Sequence, residues 1–194
     1  QKRYSKLADS FTPLAKGMNS EFANQNAYDC IQIHGGSGFM LEYKCQQLYR
    51  DARITSIYEG TTQLQTVAAI RYVTNGTYMN TIKEFEAVPV AEEYESYMKR
   101  LKEMASKLEA STNYVKEAGD QELLDFCARK LYEMTAFTIM GHLLLQDTQK
   151  APELFAKSLN VFVNYAESEV EKHFNYIRKM DAGQLANYRQ ASVD

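Results

Sequence analysis

Three long runs of apolar residues at helical spacing, with no strand-like alternation to compete, constrain this chain more than any other feature. The first carries Tyr94, Tyr97, Met98, Leu101, Met104 and Leu108. The second carries Leu123, Cys127, Leu131, Met134, Phe137, Met140 and Leu144, and the third Phe155, Leu159, Phe162, Tyr165, Val170, Phe174 and Ile177. Steps of three and four residues gather each set on one helix face, and such a face must be buried against another element. The links between runs, Ala118-Gly119-Asp120 and Asp147 to Ala151-Pro152, are short, which favours antiparallel neighbours. The expected fold class is all-α: an up-and-down helical bundle followed by a second, three-helix extension.

Proline and glycine punctuate the rest. Pro13, Pro89 and Pro152 are placed as boundaries, because proline is tolerated at a helix start and not inside. Thr12 is expected to cap a helix over residues 13–34 that carries Leu14, Met18, Phe22, Ala27 and Ile31 and stops at Gly35-Gly36. Residues 37–60 hold no sustained period and read as an ordered loop with short helical turns, pinned by Phe39, Tyr43, Leu48, Tyr49, Ile54 and Ile57. Thr62 and Gln65 have the spacing of a capping box, so a further helix should start at Thr62 and end at Asn75-Gly76. From Gly76 to Val90 the composition is irregular. The expected organisation is a domain over 1–76, a linker over 77–89 and an appended helical domain over 90–194.

Composition narrows the function classes. A chain of 194 residues with 45% hydrophobic content can bury one sizeable core or two small ones. The formal charge of -3 and the lack of any Lys/Arg block give no footprint for nucleic acid or an anionic membrane. The apolar run around Ile139 to Leu145 is broken by Gly141 and His142 and is too short to span a bilayer. Cys30, Cys45 and Cys127 contain no C-x-x-C, so neither a disulfide framework nor a zinc site is expected, and a reducing cytoplasm fits. The chain opens at Gln1 without a leader and reads as the continuation of something longer.

Two stretches invite chemistry: His34-Gly35-Gly36-Ser37-Gly38-Phe39 and Tyr58-Glu59-Gly60-Thr61-Thr62-Gln63. His-Gly-Gly has the look of an esterase oxyanion loop, but no G-x-S-x-G elbow exists and no strand precedes it. The glycines also fail G-x-G-x-x-G spacing and follow a helix, which excludes a dinucleotide fold; taken alone they are helix punctuation. Glu59 sits before a glycine and a helix start, among Ile54, Ile57 and Tyr58. Two readings stay open: a desolvated carboxylate fit to abstract a proton, or a Glu placed near a helix N-terminus for its dipole.

The blocks Ala23-Asn24-Gln25, Gln32 to Phe39, Glu42-Tyr43, Tyr49-Arg50-Asp51-Ala52-Arg53-Ile54 and Ile57 to Gln65, in that order and spacing, resemble the end of the acyl-CoA dehydrogenase family. The resemblance covers about residues 12 to 75; the later helices are similar, by position and pattern, to the helical domain appended in a larger subgroup. It implies a flavoenzyme that dehydrogenates an acyl-CoA thioester between its α and β carbons, with FAD as cofactor. Glu59 stands where the family's base removes the pro-R α-proton while the β-hydrogen leaves as hydride for flavin N5. The Glu59 N–H matches the backbone donor that, with a flavin ribityl hydroxyl, polarises the thioester carbonyl. Tyr58 and Gly60 match positions that meet substrate. Thr61, Thr62 and Gln63 match a segment that touches FAD, as do Gln32, Ile33, His34, Gly35 and Gly36, which reach its adenine and pyrophosphate side.

In the family that cofactor belongs mainly to a neighbouring subunit, which implies a homodimer or homotetramer, and electron-transfer flavoprotein is the implied next acceptor. His34 departs from the Leu of several relatives and could hydrogen-bond the cofactor or simply pack. With His142 and His173 in the other module, no metal is expected on it. Arg50, Asp51 and Arg53 are expected to form ion pairs behind Glu59, and Cys30 and Cys45 to be buried small apolar groups. Because the remaining flavin site and acyl pocket lie in domains absent here, the chain alone is expected to be inactive. Alternatives are an oxidase-like, DNA-damage-associated or catalytically silent relative, or a helical interaction module in which Glu59 is structural.

Overall fold

The computed structural model describes residues 2–191 and divides into two compact units between Ala69 and Ile70. Among the described residues every regular element is helical, and no helix is long and apolar enough to cross a membrane.

The first unit contains α1 (Lys2–His34), α2 (Gly36–Phe39), α3 (Cys45–Thr55) and the start of α4 (Thr62–Thr74). Pro13 lies inside α1, not at its start. The expected cap, Thr12, is an interior residue whose hydroxyl donates to the Ala8 carbonyl at 2.8 Å, as Ser10 does to Leu7 at 2.8 Å. A proline inside a helix removes one ladder bond at a cost of about 3 kcal/mol. Here Pro13, Leu14, Gly17 and Met18 are buried, so burial outweighs the local penalty.

α1 stops where expected, at Gly35, whose φ of 58° is open to glycine at little cost. The chain then folds back tightly. A Cβ on Gly38 would lie 2.7 Å from the Ile31 carbonyl oxygen and 2.8 Å from His34 Cβ, so only glycine fits. α3 packs on α1 through Asn24 Nδ2 on the Ala52 carbonyl (3.1 Å), the Tyr28 and Tyr49 rings (6.4 Å) and Cys30 beside Cys45 (3.3 Å). Partner numbers fall along α3 as they rise along α1, so the two helices are antiparallel. The segment 37–60 is therefore not a loop: eleven of its residues form α3. The apolar residues expected to pin it are exposed, Leu48 by 55% and Ile54 by 50%, and the buried residue of α3 is Cys45. Cys30 is only half-buried.

The second unit contains the rest of α4, α5 (Thr77–Glu86), a 3₁₀ turn (Glu92–Tyr94), α6 (Glu95–Glu117), α7 (Gln121–Lys150), α8 (Pro152–Ile177) and α9 (Ala182–Ala191). α4 ends before Asn75-Gly76 as expected, with Gly76 at φ 81°. The stretch from Gly76 to Val90, irregular by composition, holds α5, which buries Tyr78, Thr81 and Ile82 and packs on α6 and α7. The three long helices form as their periods require and pack on one another. Asp120 caps α7 by accepting from the N–H groups of Glu122 (2.9 Å) and Leu123 (3.4 Å), and Pro152 opens α8.

The seam of α8 differs from the apolar stripe. Leu159, Val163, Ala166, Val170 and Ile177 are buried, whereas Tyr165 is 47% exposed and Phe162 half-buried. Close approach explains the choice, because small and β-branched residues let the helices draw together while aromatic rings pack beside them: Phe137 meets Tyr165 edge-on at 5.6 Å. Tight crossing recurs at Gly141 of α7, where a Cβ would lie 2.4 Å from Leu101 Cδ2 of α6. Next to it His142 is buried, with neither ring nitrogen partnered among the described residues.

Candidate active-site turn and cofactor-facing strip

The turn between α3 and α4 carries Tyr58, Glu59, Gly60 and Thr61. Ile57 and Tyr58 N–H groups both donate to the Ile54 carbonyl (2.9 and 3.0 Å), which tightens the end of α3. Glu59 then takes φ 53°, the one positive φ at a non-glycine among the described residues, and Gly60 follows at φ 91°. A side chain in that region is held against a cost of about 1–2 kcal/mol, and such strain gathers at functional sites.

Distant residues hold the turn. Lys16 Nζ of α1 donates to the Gly60 carbonyl at 2.6 Å, and Gln65 Nε2 of α4 donates to the carbonyls of Glu59 (3.1 Å) and Gly60 (3.3 Å). Thr62 N–H donates to the Ser56 carbonyl (3.2 Å), and its hydroxyl donates to Glu21 of α1 at 2.5 Å. The cap of α4 is Thr61, whose hydroxyl accepts from Leu64 N–H at 3.3 Å, one residue earlier than expected. Gln65 reaches back as a donor to the turn's carbonyls, while the Thr62 N–H that a capping box would offer it is spent on Ser56. Lys16 and Glu21 carried no sequence signal, since they meet the turn from more than forty residues away.

With both carbonyls occupied, the Glu59 N–H is left without an acceptor among the described residues. Its side chain is exposed, as are Tyr58, Ile57 and Ile54. The desolvation that one of the two readings of Glu59 required is thus not supplied by this chain. Nor do Arg50, Asp51 and Arg53 form ion pairs among the described residues; Arg53 instead donates to Ser56 Oγ at the C-terminal end of α3.

Gln32, Ile33, His34, Gly35 and Gly36 are all exposed; the first three end α1, and Gly36 opens α2. Around Gly35 and Gly36 a Cβ would meet nothing within 4 Å, leaving the backbone open to an approaching group. Eleven residues, or about 16 Å along the helix axis, separate Gln32 from Glu21, where α1 supports the turn. The strip and the turn's supports are therefore two places along α1. Thr61 and Gln63 are exposed, whereas Thr62 is buried with its N–H and hydroxyl both spent on the turn.

His34 has company that spacing alone left unread. Its Nδ1 lies 2.9 Å from the Cys30 carbonyl oxygen and 3.9 Å from Cys30 Sγ, and Cys30 Sγ–H donates to Cys45 Sγ at 3.3 Å. That hydrogen bond, ahead of burial, raises the Cys30 thiol pKa. The four-residue step from Cys30 to His34 was a legible sign of a shared helix face; the arrival of Cys45 was not.

Comparison with known proteins agrees with this architecture. The family model for the acyl-CoA dehydrogenase C-terminal domain matches residues 4–73, and a second, described as acyl-CoA dehydrogenase C terminal, matches residues 74–185. An acyl-CoA dehydrogenase of Bacillus subtilis is 42% identical over 64 residues, 33% of this chain and 17% of that protein. The caffeyl-CoA reductase-Etf complex subunit CarC of Acetobacterium woodii is 45% identical over 60 residues, 31% of this chain and 16% of its own. The chain thus spans about a sixth of the length of these relatives. The crystal structure of an acyl-CoA dehydrogenase complexed with FAD from Bacillus anthracis shares the fold, with TM-score 0.71 at 20% identity over 92% of this chain and 34% of that one. Between them the two family models account for residues 4–185, and the chain belongs to the acyl-CoA dehydrogenase family.

Proposed function

We propose that this chain supplies the base and part of the cofactor surface of an FAD-dependent enzyme that dehydrogenates an acyl-CoA thioester between its α and β carbons. The observation that carries the proposal is the held turn at Glu59: a carboxylate in strained αL backbone with an uncommitted N–H beside it. A base and a hydrogen-bond donor on the same residue suit abstraction of a proton α to a thioester, because the donor meets the carbonyl oxygen as negative charge develops there. Glu59 accepts the α-proton, and its N–H stabilises the forming enolate. Lys16 and Gln65 keep the carbonyls of Glu59 and Gly60 turned away from that oxygen. Gly60 and Tyr58 meet the acyl chain.

FAD, when bound, supplies the two-electron acceptor for the hydrogen leaving the β carbon. The residues present fit that group: exposed Gln32, Ile33 and His34, open backbone at Gly35 and Gly36, and exposed Thr61 and Gln63 at the start of α4. Thr62 contributes by holding the turn. A cofactor shared with a second copy of the chain makes the enzyme a homodimer or homotetramer. The name of the Acetobacterium relative, a subunit of a complex with Etf, supports an electron-transfer flavoprotein as the next acceptor. Free thiols at Cys30, Cys45 and Cys127 suit a cytoplasmic setting. Because Glu59 is open to solvent, the chain alone turns over no substrate.

The test is made in the complete gene product, assayed with acyl-CoAs of varied chain length and an artificial electron acceptor. Glu59→Gln keeps the flavin and lowers kcat by at least about a hundredfold, the range of general-base contributions. A flavin-loaded Glu59→Gln protein with wild-type turnover would falsify the assignment of the base, and a colourless, inert wild type would overturn the enzyme reading.

A further inference from the structure

The turn after α1 brings three soft donors together. Cys30 and His34 stand one helical turn apart at the end of α1, and Cys45 opens α3. Gly38 makes the meeting possible: its backbone rests on Ile31 and His34 so closely that a side chain would push the reversal apart. As a result Cys30 Sγ, Cys45 Sγ and a ring nitrogen of His34 all lie within 4.8 Å of one another.

These separations suit a metal ion. Around a tetrahedral Zn(II), with Zn–S of about 2.3 Å and Zn–N of about 2.0 Å, two sulfurs sit roughly 3.8 Å apart and a sulfur and nitrogen roughly 3.5 Å. Cys30 Sγ is 3.3 Å from Cys45 Sγ and 3.9 Å from His34 Nδ1, each within about half an ångström of those separations, and the third pair closes from within 4.8 Å by side-chain rotation. Burial is graded usefully: Cys45 buried, Cys30 half-buried, His34 exposed as the way in. We propose that Cys30, His34 and Cys45 form a binding site for a thiophilic d¹⁰ cation, Zn(II), with a fourth position left to water. On binding, the two thiols give up their protons to solvent and the thiolates balance the metal's two charges; no electron is transferred. His34 exchanges its bond to the Cys30 carbonyl for the metal, the Nδ1 proton passing through solvent to Nε2 so that the ring stays neutral. A cystine between Cys30 and Cys45 would leave the imidazole without a part, and the third donor is what favours a metal. The proposal does not rest on the dehydrogenase reading.

The chain, fully reduced and metal-free, is titrated anaerobically with Co(II) as a spectroscopic probe and then with Zn(II). One equivalent of Co(II) gives a thiolate-to-metal charge-transfer band that Zn(II) abolishes. Cys127→Ser keeps the band, the double variant Cys30→Ser/Cys45→Ser loses it, and His34→Ala, an exposed site that leaves the fold intact by circular dichroism, weakens binding about tenfold or more. No band in the reduced chain, a band kept by the double variant, or full affinity in His34→Ala would overturn the site. Loss of the two thiols only to a peroxide-formed disulfide, with no metal bound beforehand, would replace it with a redox pair.

Discussion

Replacing His142 by Leu removes an acid-labile element from the core of the second unit. His142 is 1% exposed between α5 and α6, with the Phe85 ring 6.1 Å away and neither ring nitrogen partnered. Burial first, and the Lys102 charge second, pull its pKa from 6.5 down to about 4. Folded protein therefore holds the ring neutral where the unfolded chain would protonate it. For a base with a depressed folded pKa, the unfolded state binds the extra proton, so stability is complete above pH 6.5 and falls as pH drops toward about 4. At about 1.4 kcal/mol per pH unit, the loss reaches roughly 3 kcal/mol at the acid end of the window. The His142→Leu variant keeps a similar volume and loses that dependence. Urea melts followed by circular dichroism across the window should show the variant gaining on wild type by roughly 3 kcal/mol as pH falls, with carboxylate titration common to both cancelling. If the two stability curves run parallel from pH 6.5 to about 4, His142 is hydrated or partnered in solution and the reasoning fails.

Two further perturbations test the supports of each unit. Asp120→Ala strips the cap from α7 and should cost about 1 kcal/mol of stability in a denaturant melt, with the m-value unchanged. Lys16→Met leaves the Gly60 carbonyl without its charged donor; losing a bond of about 1.5 kcal/mol should lower kcat of the flavin-loaded enzyme about tenfold while flavin content stays constant.

The sequence carried the elements whose signals are local. α6, α7 and α8 follow from a period that any helix burying one face must show, and α1 and α4 end at Gly35 and Asn75-Gly76, where positive φ suits glycine. It misplaced elements whose stability comes from elsewhere. Pro13 marks a boundary by backbone rules, yet burial of its neighbours carries α1 through it. α3 went unread although Cys45, Leu48, Tyr49 and Ala52 stand at helical spacing, and α8 packs on Val163 and Ala166, since helix crossing rewards small residues over larger ones nearby.

At the site, the residues alone left two readings of Glu59, and it was the resemblance of Gln32 to Gly36 and Tyr58 to Gln63 to a known family that singled it out, because motif identity is a property of the chain read in one direction. Only the tertiary structure decided that Lys16 and Glu21 hold that turn, that Glu59 stands open to solvent, that Cys45 arrives beside Cys30 and His34, and that His142 is buried. Each of those depends on chain reversal and helix crossing, which set contacts between residues far apart in sequence and leave no periodic trace in it.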